Sequence, residues 1–272
     1  MDFGLLAVAI VIAGIVTGLL MALFGIGGGA FIVPVLDALF ARLPGVPPPP
    51  FKLAVLASLL AIGIGSGWRA VQVWRDGSVE RAALGRLIVG AVPGTLLGVA
   101  VVSTLSSDPL RLAFAAALAA LGLWTSFGRP HPAAQLTDAS ARRRRLLAIG
   151  ALSGLASSMF GLGGATLLVP LLTMRAGFST AAAATLSVVF VFAASLQSLA
   201  IYAASVAAGI TSLAGVQAVH LELIAILTLA AVASQQLFVR VLHEMPDRLR
   251  RALLGLYLLL AAAWLVREVL VR

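Results

Sequence analysis

The chain has no cysteine, which removes disulfides, thiolate catalysis and cysteine metal sites together. Its three histidines, His131, His220 and His243, are scattered over polar links and a block edge. No metal site, no cofactor and no Ser/His/Asp grouping is expected from them. Charge is also scarce: 11% of the 272 residues are charged, against about 25% in ordinary domains. The ten acidic residues avoid the long apolar blocks, with Asp37 inside a short block and Glu222 near a block end. Carboxylates within a membrane mark proton relays and cation paths, so a cation carrier is disfavoured. Asp37 alone is placed to couple protons, with end-capping or a surface salt bridge the plainer reading.

What is present is apolar surface. Hydrophobic residues make up 61% of the chain and the mean hydropathy is +1.09, leaving too little polar surface to coat a soluble globule. The apolar residues fall in blocks at 3–24, 30–40, 51–68, 83–104 and 109–127, then 146–160, 165–174, 179–206, 221–242 and 249–266. A bilayer needs about 20 apolar residues per crossing, and lipid offers an open backbone no hydrogen-bond partner, so the long blocks predict helices. Blocks 30–40 and 165–174 reach about half that thickness and predict half-helices or re-entrant segments. The first block has no Lys or Arg before it, as a cleaved leader would, and is expected to be spanning structure. The net charge of +9 sits in short links rather than on a periodic basic face, so no nucleic-acid partner is expected. The run Pro47–Pro50 predicts a stiff surface spacer.

The two halves of the chain resemble each other. Residues 14–36 and 150–172 are identical at ten of 23 positions at an offset of 136, and Asp108, Leu110 and Arg111 correspond to Asp247, Leu249 and Arg250. Arginine-rich links at 69–86, 128–145 and 240–251 are expected on the cytoplasmic side, and the arginine-poor links 104–111 and 206–220 outside. Equivalent links therefore face opposite ways. The expected fold is an all-α polytopic membrane protein of two inverted repeats. Each has about five segments, four long helices plus a short half-helix or re-entrant segment. The first repeat spans 1–127, a basic cytoplasmic linker 128–145, and the second repeat 146–272, with both termini outside. The expected location is a bacterial inner membrane.

The chemistry is expected where the repeats break. Phe24 to Gly29 and Phe160 to Gly164 are glycine-rich, and each precedes a half-length block with Val-Pro, Val33-Pro34 and Val169-Pro170. Glycine costs a helix about 1 kcal/mol relative to alanine, so helices should stop there, at membrane depth. Such backbone survives only in protein or beside a polar cavity, and the half-helix that follows presents free N–H groups to an anion. The pseudo-two-fold relation would turn two such ends on one small anion near the midplane. Candidate binding residues are Gly25, Gly27, Gly28, Gly29, Gly161, Gly163 and Gly164. Ser58, Thr185, Ser187 and Gln197 are polar candidates in later helices, with Ser195 and Ser198 beside them. A membrane serine or threonine more often bonds its own backbone. Gly14, Gly18, Gly90, Gly94 and Gly98 read as helix-packing positions. A nucleotide loop lacks its strand and acidic residue here.

Phe-Gly-x-Gly-Gly followed by Val-Pro, once near the start of each half, resembles the sulfite exporter TauE/SafE family of membrane permeases. The likeness extends over nearly the whole chain, including Ala54–Ser58 and the basic link 69–86. It implies transport of sulfite, sulfoacetate or another sulfonate. Gly25, Gly27, Gly28 and Pro34 fit the first motif and Gly161, Gly163, Gly164 and Pro170 the second, whereas Ala165 stands where the first half has Gly29. The expected function is a secondary transporter, an exporter, working by alternating access, with lipid and a small anion as partners; a homo-oligomer is compatible with the sequence. The alternatives are a passive anion channel, a membrane scaffold or a membrane-embedded enzyme, the last lacking clustered catalytic side chains.

Overall fold

A computed structural model describes residues 3–24, 28–41, 51–127, 139–210, 221–242 and 246–271. These residues form ten helices: α1 (Phe3–Phe24), α2 (Gly29–Phe40), α3 (Phe51–Arg75), α4 (Arg81–Thr104), α5 (Ser107–Phe127), α6 (Ala139–Phe160), α7 (Ala165–Arg175), α8 (Thr180–Ala207), α9 (Leu221–Leu242) and α10 (Asp247–Leu270). The all-helical class expected from the apolar blocks is what forms. Five helices, α3, α4, α5, α8 and the part of α10 from Ala252, are long and apolar enough to cross a membrane. Exposed Ile64, Trp68, Leu97, Leu229 and Leu260 suit a hydrocarbon solvent and not water. The half-length blocks are short helices, α2 with 12 residues and α7 with 11, about 18 and 16 Å long at 1.5 Å per residue.

The helices gather into two compact units, each drawn from both halves of the chain. One unit holds α1, α2, the start of α3, α5, α9 and α10. Within it α1 packs on α9, and α5 on α10. The other holds the rest of α3 with α4, α6, α7 and α8, where α4 packs on α6 and α8 lies against α4, α6 and α7.

The glycines read as packing positions have that role. A Cβ on Gly90 or Gly94 would enter the carbonyl of Leu147 or Ala151, and one on Gly14 would lie 2.7 Å from the Leu227 carbonyl. Removing the side chain lets the helix backbones touch. Both crossings are parallel, because Gly14 and Gly18 meet Leu227 and Ala231 in rising order, as Gly90 and Gly94 meet Leu147 and Ala151. The pairing is duplicated as well: Gly150 meets Leu87 and Gly154 meets Ala91, where their counterparts Gly14 and Gly18 meet α9.

Several links are shorter than the sequence suggests. α3 continues to Arg75, and α6 begins at Ala139 and so takes in Arg142 to Arg145. Arg142 makes two 2.9 Å bonds to the Glu80 carboxylate and stacks on Phe178. The link 104–111 narrows to two residues, and Arg111 lies inside α5. Pro47–Pro50, His131, His220 and His243 lie outside the described residues.

Candidate functional site

The second break is described in full. α6 stops at Phe160 and α7 starts at Ala165, with Gly161, Gly163 and Gly164 at φ 62°, 64° and 82°. Residues with a Cβ avoid this left-handed region, so three glycines are required for the turn to form. Residues 161 to 166 are all buried. Gly164 is the N-cap of α7 and brings no side-chain acceptor. The first N–H groups of α7 therefore have no partner within the helix and carry the positive end of its dipole.

Helices of the same unit wall this turn. The Gly161 N–H donates to the Ser157 carbonyl at 2.9 Å, and Ser58 Oγ donates to the Gly161 carbonyl at 2.8 Å. A Cβ on Gly163 would lie 2.9 Å from Ile62 and 3.0 Å from Val191, and one on Gly164 2.9 Å from Phe190 and 3.1 Å from the Ser153 carbonyl. Thus α3, α6 and α8 close around the backbone with no space for side chains on it.

Polar atoms collect in this unit without partners. Among the described residues, the buried hydroxyls of Thr95, Ser153, Ser157, Thr166, Ser195 and Ser198 and the Nε2 of Gln197 make no hydrogen bond within the protein. Ser153 and Ser157 are one turn apart on α6, and Thr166 is in the first turn of α7. Leaving a buried hydroxyl unsatisfied costs about 1–3 kcal/mol, so several in one unit call for partners beyond the protein's own groups.

The sequence candidates divide accordingly. Ser58 braces the turn through the Gly161 carbonyl, and Gln197 keeps its amide nitrogen unpaired. Thr185 is half-buried and donates to the Ala181 carbonyl at 2.9 Å, and Ser187 donates to the Ala184 carbonyl at 2.7 Å. Both hydroxyls turn to their own helix. Ser153, Ser157 and Thr166 were not singled out by sequence reasoning. The available signal was the pairing of Thr17 with Ser153 at the repeat offset, since both hydroxyls are buried and unpartnered.

The first break lies in the other unit. α1 ends at Phe24, Gly28 caps α2 at φ −60° and ψ −14° with no side-chain bond, and Gly29 opens the helix. Gly28 and Gly29 are buried, and Gly28 accepts from Phe31 and Ile32 through its carbonyl. Gly25 and Gly27 lie outside the described residues.

The far end of α2 corrects the reading of Asp37. It is neither an end cap nor a surface ion pair, being 1% exposed and held by Arg111, which is 0% exposed. Arg111 Nη2 and Nε donate to the two carboxylate oxygens at 2.7 and 2.9 Å, and Nη1 donates to Asp108 at 3.1 Å. The Phe51 ring covers the guanidinium. The early start of α5 brings Arg111 into the apolar interior, where either charge alone would be costly to bury.

Comparison with known proteins agrees with this architecture. A family model described as Sulfite exporter TauE/SafE matches residues 10–265. A probable membrane transporter protein of Methanocaldococcus jannaschii is 28% identical over 177 residues, covering 64% of this chain and 64% of that protein. A probable membrane transporter protein of Haemophilus influenzae is 27% identical over 177 residues, 63% of this chain and 62% of its own length. The chain therefore aligns with slightly less than two thirds of the length of either relative. Together with the apolar helices, these matches make it a multi-pass protein of the cell membrane.

Proposed function

The chain belongs to the sulfite exporter TauE/SafE family, and on that premise we propose that it is a secondary transporter exporting a small sulfur-containing anion, sulfite or a sulfonate, by alternating access. The observation that carries the reading is the second break: a buried turn with a free helix N-terminus, beside buried hydroxyls that have no partner in the protein. N–H groups and hydroxyls donate to an oxyanion without bringing a full charge through lipid. In this reading Gly161, Gly163, Gly164, Ser153, Ser157 and Thr166 contact the anion, Ser58 holds the turn, and Gln197 donates from α8. Gly28 and Gly29 open α2 as the counterpart in the first half. The repeats 1–127 and 146–272 are oppositely oriented about the cytoplasmic link 128–145. The opposed distribution of arginine between equivalent links supports this orientation.

Purified protein in liposomes should move radiolabelled sulfite and show counterflow, which a passive channel lacks. Gly164→Leu places a side chain at φ 82° and against Phe190. It should abolish flux, and the triple variant Ser153→Ala, Ser157→Ala, Thr166→Val should lower it strongly while the protein stays folded. Undiminished flux in the folded triple variant would overturn the site.

A further inference from the structure

Beyond transport, we infer that the second unit holds one anionic phospholipid, with its headgroup phosphate between Arg75 and Arg81 and an acyl chain along the exposed face of α3. The charge of the unit is gathered at one end. Arg142 joins α6 to Glu80 just before α4 and stacks on Phe178 just before α8, and Arg145 donates to the carbonyl of Arg175, the last residue of α7. Every charged side chain among the described residues of this unit lies within two turns of these helix ends or of the end of α3, nine arginines against Asp76 and Glu80. Glu80 is taken by Arg142, so most of the surplus is not neutralised by the unit itself. On the positive-inside rule this end lies at the cytoplasmic leaflet, whose anionic lipids give the membrane its negative surface.

The end of α3 has the form of a lipid slot. Ile64, Trp68, Val71 and Arg75 follow one another at helical spacing, so they share one face of the helix, and all four are exposed. Three apolar side chains thus lead to a cation at the helix end, in the order in which a phospholipid presents its chain and its phosphate. Trp68 and Trp74 are both exposed, and indole rings favour the headgroup level. Arg81 reaches back from the first turn of α4, its guanidinium carbon 5.1 Å from the centre of the Trp74 ring. That contact engages the cation through the ring and leaves N–H groups for phosphate oxygens. Among the described residues neither Arg75 nor Arg81 is paired with a carboxylate. A second copy of the chain would suit the apolar face but not the cations, since the chain has ten acidic residues against 19 basic ones.

The test reads tryptophan fluorescence of the full chain in phosphatidylcholine vesicles that contain a rising fraction of lipid with brominated acyl chains, which quench on contact. Brominated phosphatidylglycerol should reach half-quenching at a fraction at least about fivefold lower than brominated phosphatidylcholine, roughly what one basic residue adds near an anionic surface. Trp68→Phe should lower this extra quenching. Arg75→Gln with Arg81→Gln should bring the two lipids within about twofold of each other. Arg143→Gln with Arg144→Gln removes as much charge from the same end but leaves the α3 face intact, and should keep most of the preference. Replacing chloride by inorganic phosphate at constant ionic strength should change nothing, because the acyl chain is part of the fit. Equal quenching by the two lipids, or extra quenching untouched by Trp68→Phe, would overturn the site. So would equal loss in both double variants, which leaves only diffuse surface charge, displacement by inorganic phosphate, or a dimer that covers α3 with no lipid preference. None of these readouts depends on flux, so the transport reading stands or falls separately.

Discussion

The half-helices α2 and α7 start with similar sequence and end differently. Each follows a glycine-rich break, opens at a buried glycine N-cap and carries a proline at its sixth residue, Pro34 or Pro170. At the ninth residue α2 has Asp37 and α7 has Thr173. Asp37 is locked to Arg111 inside the protein, whereas Thr173 donates to the Val169 and Pro170 carbonyls of its own helix. α7 is tied instead by exposed Arg145, which donates to the Arg175 carbonyl at 2.9 Å. Duplication has kept the sequence at the end that forms the break, with Gly28 at φ −60° and Gly164 at φ 82°, and let the other end diverge. The turn at the second break demands glycine at 161, 163 and 164, whereas a helix C-terminus can be held by several chemistries.

The largest effect expected from this contrast is on stability. Arg111→Ala leaves Asp37 buried without its cation, which should cost about 3–5 kcal/mol, read as the loss of thermal stability in detergent. Arg145→Ala removes a solvent-exposed contact and should cost under about 1 kcal/mol. A double variant, Asp37→Leu with Arg111→Met, should be more stable than Arg111→Ala, because apolar groups of similar volume replace a buried pair without a stranded charge. If Arg111→Ala and Arg145→Ala prove equally mild, the two half-helices are anchored alike and the asymmetry is only apparent.

A smaller effect probes the brace on the second break. Ser58→Ala removes the bond to the Gly161 carbonyl, with an expected loss of about 1 kcal/mol. Flux should also fall, since the turn is no longer held. Retained flux at reduced stability would make Ser58 a packing residue alone.

Much of this fold was legible because a bilayer imposes it. Apolar block length and the need to satisfy every backbone group locate the helices, and clustered glycine marks the break at 161–164 because only glycine takes up φ near +60° to +80° without strain. Small residues within apolar helices also mark Gly14, Gly18, Gly90 and Gly94 as close-packing positions, and each has that role. The partner of Asp37 was not legible. Arg111 is 74 residues away and looked like a link residue, since helix ends are set by local caps and contacts that hydropathy does not record. Ser153, Ser157 and Thr166 were equally hidden, whereas Ser195 and Ser198 stood out as polar candidates. Ser153 and Thr185 are both small polar residues in apolar helices, and only burial and bonding separate one from the other.

The smallest stability change carries the sharpest comparison. Thr17 and Ser153 are counterparts in the two halves, each 0% exposed and each without a hydrogen-bond partner in the protein. A hydroxyl kept for folding would be bonded, and its removal would cost about 1 kcal/mol. One kept for a ligand can be removed with little loss, or some gain, because an unsatisfied buried group disappears. Thr17→Val and Ser153→Ala should therefore each leave the unfolding temperature within a few degrees of wild type. Ser153→Ala should lower sulfite flux. If Thr17→Val lowers it too, the buried hydroxyl of each half serves transport; if Thr17→Val transports normally, only that of the second half does. A destabilised Ser153→Ala with full flux would return that hydroxyl to the packing of α6 and remove it from the site.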